Sequence, residues 1–208
     1  MAPLRPAASL LLRYLAYMAV VGLILAGYVA LIAGAIDPED ILDENRWIEY
    51  AQIGLLALIV LFCLSAFRSG GSVLHRLFAG LASSAIFREM DSLLRDLMFD
   101  GVHNIAMALV LAAMASMAWI NRQRFKVEAV EFMGRPGFHL MVFGAVLVVI
   151  FAQLLGQREV WERLAEDMTS EAKRFIEEGL EMMGYVMIVC GVFEERFFGN
   201  RTGPSSQT

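Results

Sequence analysis

Residues 47–67 read WIEYAQIGLLALIVLFCLSAF, and no charged residue occurs between positions 50 and 67. A helix needs about 20 mostly apolar residues to cross the hydrocarbon core of a bilayer. In that core every backbone N–H and C=O group needs a partner within the chain, which favours a helix. The stretch therefore predicts a transmembrane helix that carries its polar residues, Glu49 and Gln52, near one end.

Five further stretches have the same character, and hydrophobic residues make up 58% of the 208 residues. An ordinary soluble domain is about 45–50% apolar. We therefore predict an all-α, polytopic integral membrane protein, built as a six-transmembrane-helix bundle. The predicted spans are about 10–35, 46–68, 72–94, 101–121, 138–157 and 173–195, in one domain, 1–198, with a disordered tail at 199–208. We expect the first span to be retained, because it exceeds the ~7–15 apolar residues of a signal peptide.

The distribution of basic residues predicts the orientation of the spans. Cytoplasmic loops of membrane proteins carry an excess of Lys and Arg. One side of the predicted bundle holds most of them: Arg5, Arg13, Arg68, Arg76, Arg122, Arg124, Lys126, Arg135, Arg196 and Arg201. We therefore expect cytoplasmic N and C termini, and the small size and short loops favour a bacterial inner membrane. Membrane lipids and a companion membrane protein are the expected partners. The net charge of −5 gives no signal for nucleic acid.

Polar side chains recur at the outer ends of these spans. Ionisable residues inside a membrane are costly, about 2.5–3.5 kcal/mol each at the centre of a helix, and they usually serve function. The residues of this outer layer are Glu49, Gln52, Arg88, Glu89, Asp91, His103, Asn104, Glu178 and Glu181. We expect Glu89, Glu178 and His103 to act as catalytic groups and the others to bind a ligand. Arg88 and Asp91 are three residues apart and can pair along their own helix.

The expected function of this layer is to bind or modify a lipid or a small periplasmic molecule. A divalent cation could assist, because carboxylates and imidazole are common metal ligands and a metal activates bound water. The candidate metal ligands are Glu49, Glu89, Asp91, His103 and Glu178, but no His-Glu-x-x-His motif occurs. Haem is not expected, because His75 and His139 lie at the cytoplasmic boundary of their helices rather than deep in the bundle.

Two other classes of function stay open at this point, and the sequence does not decide whether the protein is an enzyme. The first alternative is a noncatalytic scaffold or binding subunit that uses the same polar residues as a structural network. The second is a proton- or cation-coupled transporter. Against the transporter, the inner half of the predicted bundle offers few polar groups beyond Cys63, Ser65, His75 and His139.

Overall fold

The computed structural model describes residues 4–33, 46–67, 72–157, 159, 161 and 170–199, and the regular structure in these ranges is entirely helical. The helices are α1 (Leu4–Ala33), α2 (Arg46–Phe67), α3 (Val73–Glu89), α4 (Asp91–Leu97), α5 (Val102–Ile120), α6 (Arg122–Met133), α7 (Pro136–Leu155) and α8 (Ser170–Phe198). Four of them contain a stretch long and apolar enough to cross a membrane: Ala8–Ala30, Ile48–Ser65, Val102–Ile120 and Pro136–Leu155. The prediction of an all-helical membrane protein is thus confirmed at this level.

The structure corrects two of the predicted boundaries. The continuous span predicted at 72–94 is interrupted, because α3 ends at Glu89 and α4 starts at Asp91. The segment after residue 121, predicted as a loop, forms the helix α6. The acidic residues between positions 37 and 44, and residues 200–208 of the predicted tail, lie outside the described residues.

The described helices fall into two compact units. The first unit contains residues 1–45 and 144–187, and the second contains residues 46–143 and 188–208. Each unit therefore contains a part of α7 and a part of α8.

In the second unit, α3 is the helix around which the others pack. It lies along α2 and along α5, and Val73, Leu74 and Leu77 in its first turns are buried. Gly80 lets α5 come close, since a Cβ atom at this position would lie 2.5 Å from the sulfur of Met114. Small residues allow such close approach where lipid gives little hydrophobic drive for helices to associate.

The N-terminus of α3 is capped from α6 by a carboxylate. Glu128 Oε2 accepts hydrogen bonds from Ser72 Oγ at 2.7 Å and from the Leu74 N–H at 3.0 Å, and Arg124 Nε donates to Glu128 Oε1 at 2.7 Å. The first N–H groups of a helix have no partner within the helix, and the helix dipole favours a negative charge there. Burial alone would raise the pKa of Glu128, but the bonds from Ser72, Leu74 and Arg124 outweigh it and lower the pKa.

The helices α7 and α8 touch through glycines in both units. In the second unit, a Cβ at Gly137 would lie 2.6 Å from the Gly191 carbonyl oxygen. In the first unit, a Cβ at Gly184 would lie 2.7 Å from the Gly144 carbonyl oxygen. The two glycines of each helix are seven residues apart, about two helical turns. This repeat is visible in the sequence, although its use as a contact was not foreseen.

The first unit joins α1 to α8 through one aromatic pair. The ring of Tyr28 stacks on Phe175 with centroids 5.1 Å apart, and its hydroxyl donates to the Phe175 carbonyl at 3.1 Å. A six-residue π-helical segment, Leu147–Ala152, lies within α7. Such segments are often found at functional sites, and this one is followed directly by Gln153.

We predict that replacing Gly191 by Ala destabilises the protein by about 1–3 kcal/mol, the usual cost of overpacking. The added Cβ would lie 2.5 Å from Met141 Cγ and 2.8 Å from the Gly137 oxygen. Gly54→Ala is the matched control, because its Cβ would meet nothing within 4 Å. Thermal unfolding in detergent measures both variants, and an equal response would contradict the glycine contact.

We also predict that Glu128→Gln lowers stability at neutral pH by about 1 kcal/mol, the value of a charge at a helix terminus. The pKa of Glu128 is lower in the folded protein than in the unfolded chain. Its contribution is therefore present at neutral pH and disappears as the pH falls through the folded pKa. Unfolding of Glu128→Gln and wild type should converge on acidification. Glu131→Gln, one turn further along α6 and 63% exposed, should show a smaller effect at neutral pH.

Candidate functional site at the connection between α3 and α5

The connection from α3 to α5 consists of the short helix α4 and a few irregular positions. Met90 departs from helical geometry with φ −89° and ψ 11°, although its N–H still donates to the Ile86 oxygen at 3.0 Å. Gly101 precedes α5 with a φ of 83°, a left-handed value that glycine adopts without steric cost. The chain reverses over this segment, and α4 packs on α5.

An imidazole–carboxylate pair crosses this connection. Asp91 Oδ1, at the start of α4, lies 2.6 Å from His103 Nδ1, in the first turn of α5. Neither atom makes a hydrogen bond of acceptable geometry in the described structure, so the pair is a close contact between a carboxylate and an imidazole rather than an aligned hydrogen bond. The His103 side chain is 16% exposed and that of Asp91 is 40% exposed. Asp91 therefore engages one ring nitrogen of His103 and leaves Nε2 as the nitrogen for another partner.

The last turn of α3 carries a second ion pair. Arg88 donates to Glu89 Oε1 from Nη2 at 2.7 Å and from Nε at 3.2 Å, and the Glu89 side chain is only 9% exposed. The sequence suggested pairing of Arg88 with Asp91, but the described ion pairs are Arg88 with Glu89 and Asp91 with His103. The kink at Met90 is the physical reason, because spacing of three residues brings side chains together only on a continuous helix.

Three other predicted residues of the second unit lie at helix starts. Glu49 and Gln52 are in the first turns of α2, where Gln52 is fully buried and Glu49 is half-buried. Asn104 is in the first turn of α5, exposed, with its N–H bonded to the Gly101 oxygen at 3.1 Å. Glu49 and Gln52 both take part in polar or electrostatic interactions.

The remaining predicted residues, Glu178 and Glu181, lie in the first unit. Gln153 Nε2, just after the π-helical segment of α7, donates to Glu181 Oε1 at 3.4 Å, and Glu181 is buried. Glu178 is half-buried on the same helix, one turn before Glu181. The convergence of all nine outer residues on one site stays a prediction.

No group of three or more His, Cys, Asp or Glu side chains that could hold a metal ion occurs among the described residues. At the predicted site, the described structure brings two such side chains together, those of Asp91 and His103. The cation-assisted site stays a prediction.

A second polar cluster, which sequence reasoning missed, lies at the opposite end of the second unit. Arg135, between α6 and α7, pairs with Glu131 of α6 and with Glu195 of α8. Glu194 and Glu195 are both buried, and Glu195 Oε2 has no hydrogen-bond partner in the described structure. His75 of α3 is within electrostatic range of Arg135. The expectation that this end is almost wholly apolar is therefore wrong.

The sequence did contain a signal for this cluster. Glu194 and Glu195 are adjacent acids at the end of an apolar helix, on the side where basic residues otherwise dominate. Carboxylates in such a position are expected to find a basic partner, because an unpaired buried charge is strongly destabilising.

Comparison with protein-family models, with curated proteins and with solved structures finds no match for this chain.

Proposed function

We propose that this chain is a multi-pass membrane protein that binds or modifies a lipid or a small periplasmic molecule at the α3–α5 connection. In this proposal it crosses a bacterial inner membrane six times, with both termini in the cytoplasm. The residues in contact with the ligand are His103, with Asp91 holding its ring, and Arg88, beside Glu89. Membrane lipids are the nearest source of such a ligand.

Two packing observations support crossings by α3 and α8 in addition to the four apolar helices. α3 packs along α2 and α5, both of which contain an apolar stretch of crossing length. α8 has 29 residues, roughly 43 Å at the usual rise per residue, and it meets α7 at a glycine contact in each unit. A helix held against membrane-spanning neighbours lies in the same apolar layer.

The observation that carries the proposed function is the pair of His103 with Asp91. A carboxylate 2.6 Å from Nδ1 favours a proton on that nitrogen rather than on Nε2, and a small rotation of either side chain would align the two for a hydrogen bond. The other nitrogen, Nε2, then accepts a proton from a ligand hydroxyl when His103 is neutral, or donates to a phosphate oxygen when it is charged. The Arg88 guanidinium, three residues before Asp91, suits an anionic headgroup, whose phosphate would compete with Glu89 for the N–H groups of this arginine.

Soluble headgroups test this proposal on the full-length protein in detergent. Glycerol phosphate and phosphoethanolamine are the probes, and thermal unfolding is the measurement. A bound probe at 100 times its Kd stabilises the folded state by about 2.7 kcal/mol. We expect one probe to stabilise the wild type and to lose this effect in His103→Gln and Asp91→Asn. Asp100→Asn, an exposed acid in the same connection, is the matched control and should respond like the wild type.

The outcome also separates the ligand site from a noncatalytic scaffold. A scaffold role predicts that both substitutions lower the melting temperature while the wild type itself shows no response to either probe. Stabilisation that persists unchanged in His103→Gln and Asp91→Asn would place the ligand elsewhere and contradict the proposal.

A proton-coupled transporter is the second candidate, and one observation favours it. Glu195 is buried at the end of the second unit opposite His103, and its unbonded oxygen could take up a proton. Ionisable groups thus occur at both ends of this unit rather than at one. Its central helices also contain two buried polar side chains, those of Gln52 and Ser84.

Proton uptake into proteoliposomes, followed with a trapped pH-sensitive dye, tests the transporter. The change is Glu195→Gln, which keeps the shape of the side chain but removes the titrating group. We expect it to abolish uptake, whereas Glu131→Gln should retain uptake because Glu131 is exposed although it pairs with the same arginine. Unchanged size-exclusion elution controls for folding, and uptake that survives in Glu195→Gln would exclude this role.

A further inference from the structure

The helix α6 carries two basic residues that have no acidic partner among the described residues. Arg122 and Lys126 are four residues apart and therefore lie on one face of the helix. Neither has an acidic partner within the part of the chain that the structure describes. By contrast, the nearby Arg124 pairs with Glu128, and Arg135 pairs with Glu131 and Glu195. Arg124 and Arg135 therefore have acidic partners in the described protein, whereas Arg122 and Lys126 have none there.

The surroundings of Arg122 and Lys126 are apolar and exposed. Trp119 and Ile120, at the end of α5, are 72% and 79% exposed, and Val127 of α6 is 69% exposed. The Arg122 guanidinium carbon lies 5.5 Å from the centroid of the Trp119 ring, close enough for a cation–π interaction. Exposed apolar side chains next to basic ones are suited to the membrane interface, where the long Arg and Lys side chains keep their charges in the headgroup region.

Their position along the chain puts these residues at the end of a candidate membrane span. α5 contains an apolar stretch of membrane-crossing length that ends at Ile120, and α6 begins two residues later. Tryptophan favours the boundary between hydrocarbon and headgroups, where Trp119 would lie. The predicted orientation puts this boundary on the cytoplasmic side, whose lipids are anionic and attract basic segments next to a span.

We propose that Arg122 and Lys126 form a binding site for the phosphate of an anionic phospholipid at the cytoplasmic face, with its acyl chains against Ile120 and Val127. Phosphate supplies the negative charge that neither cation finds in the described protein. Arg122 binds it through its guanidinium fork and Lys126 as a point charge. This site depends on the membrane crossing of α5 and is independent of the ligand proposed for His103.

Binding of phosphatidylglycerol to the purified full-length protein, counted by native mass spectrometry against a phosphatidylcholine background, tests this site. Each basic residue near an anionic surface contributes about 1 kcal/mol, or about fivefold in binding. We expect Arg122→Gln and Lys126→Gln each to weaken binding about fivefold, and the double variant about thirtyfold. Arg124→Gln is the matched control, since it removes the same charge from the same helix but from a residue already paired with Glu128.

Three results would overturn the proposal. The first is phosphatidylglycerol binding that the double variant leaves unchanged, which would leave this face for a partner protein. The second is a loss in Arg124→Gln as large as that in the single variants, which would reduce the effect to net charge. The third is displacement of the lipid by inorganic phosphate at a similar concentration, which would identify a site for soluble anions. Binding in His103→Gln should match the wild type, which separates this site from the one at the α3–α5 connection.

Discussion

The hydrocarbon of a bilayer contains no water to solvate a charged side chain. Ionisable side chains of a membrane-spanning helix are therefore expected at its ends, next to a partner. In the second unit, ionisable side chains are paired at both ends of α3. At one end Arg88 pairs with Glu89, and Asp91 pairs with His103 across the connection to α5. At the other end Glu128 caps the helix and binds Arg124. The apolar middle of the helix is left to pack against α2 and α5.

α7 and α8 pack closely because the residues at their contact positions are glycines, which have no side chain. The glycine contacts bring a backbone carbonyl of one helix to the position that a Cβ of the other would occupy. Helices in lipid gain little from burying apolar surface, so van der Waals contact between backbones becomes a main source of stability. The contact between α7 and α8 also holds Glu195 beside Arg135, where α8 passes the start of α7.

Much of the helical framework could be predicted from the sequence, and the site could be predicted only in part. The spans expected at 46–68 and 101–121 agree closely with α2 and α5, because a long apolar run needs no tertiary contact to be recognised. The interruption at Met90 was missed, because the spacing of Arg88 and Asp91 is that of one continuous helix. The buried cluster of Glu194 and Glu195 was missed because its partner, Arg135, is 60 residues away in sequence.

The amino-acid sequence by itself determined that this protein is helical, rich in apolar segments of membrane-crossing length, and polar at the ends of those segments. Those properties depend on composition and on spacing along the chain, which a linear pattern contains. Only the tertiary structure decided which acid meets which base, as in the pairs of Asp91 with His103 and of Glu195 with Arg135, and that Glu128 caps the start of α3. The physical reason is that an ion pair forms over about 3 Å, and distances of that size between separate helices follow from packing rather than from spacing.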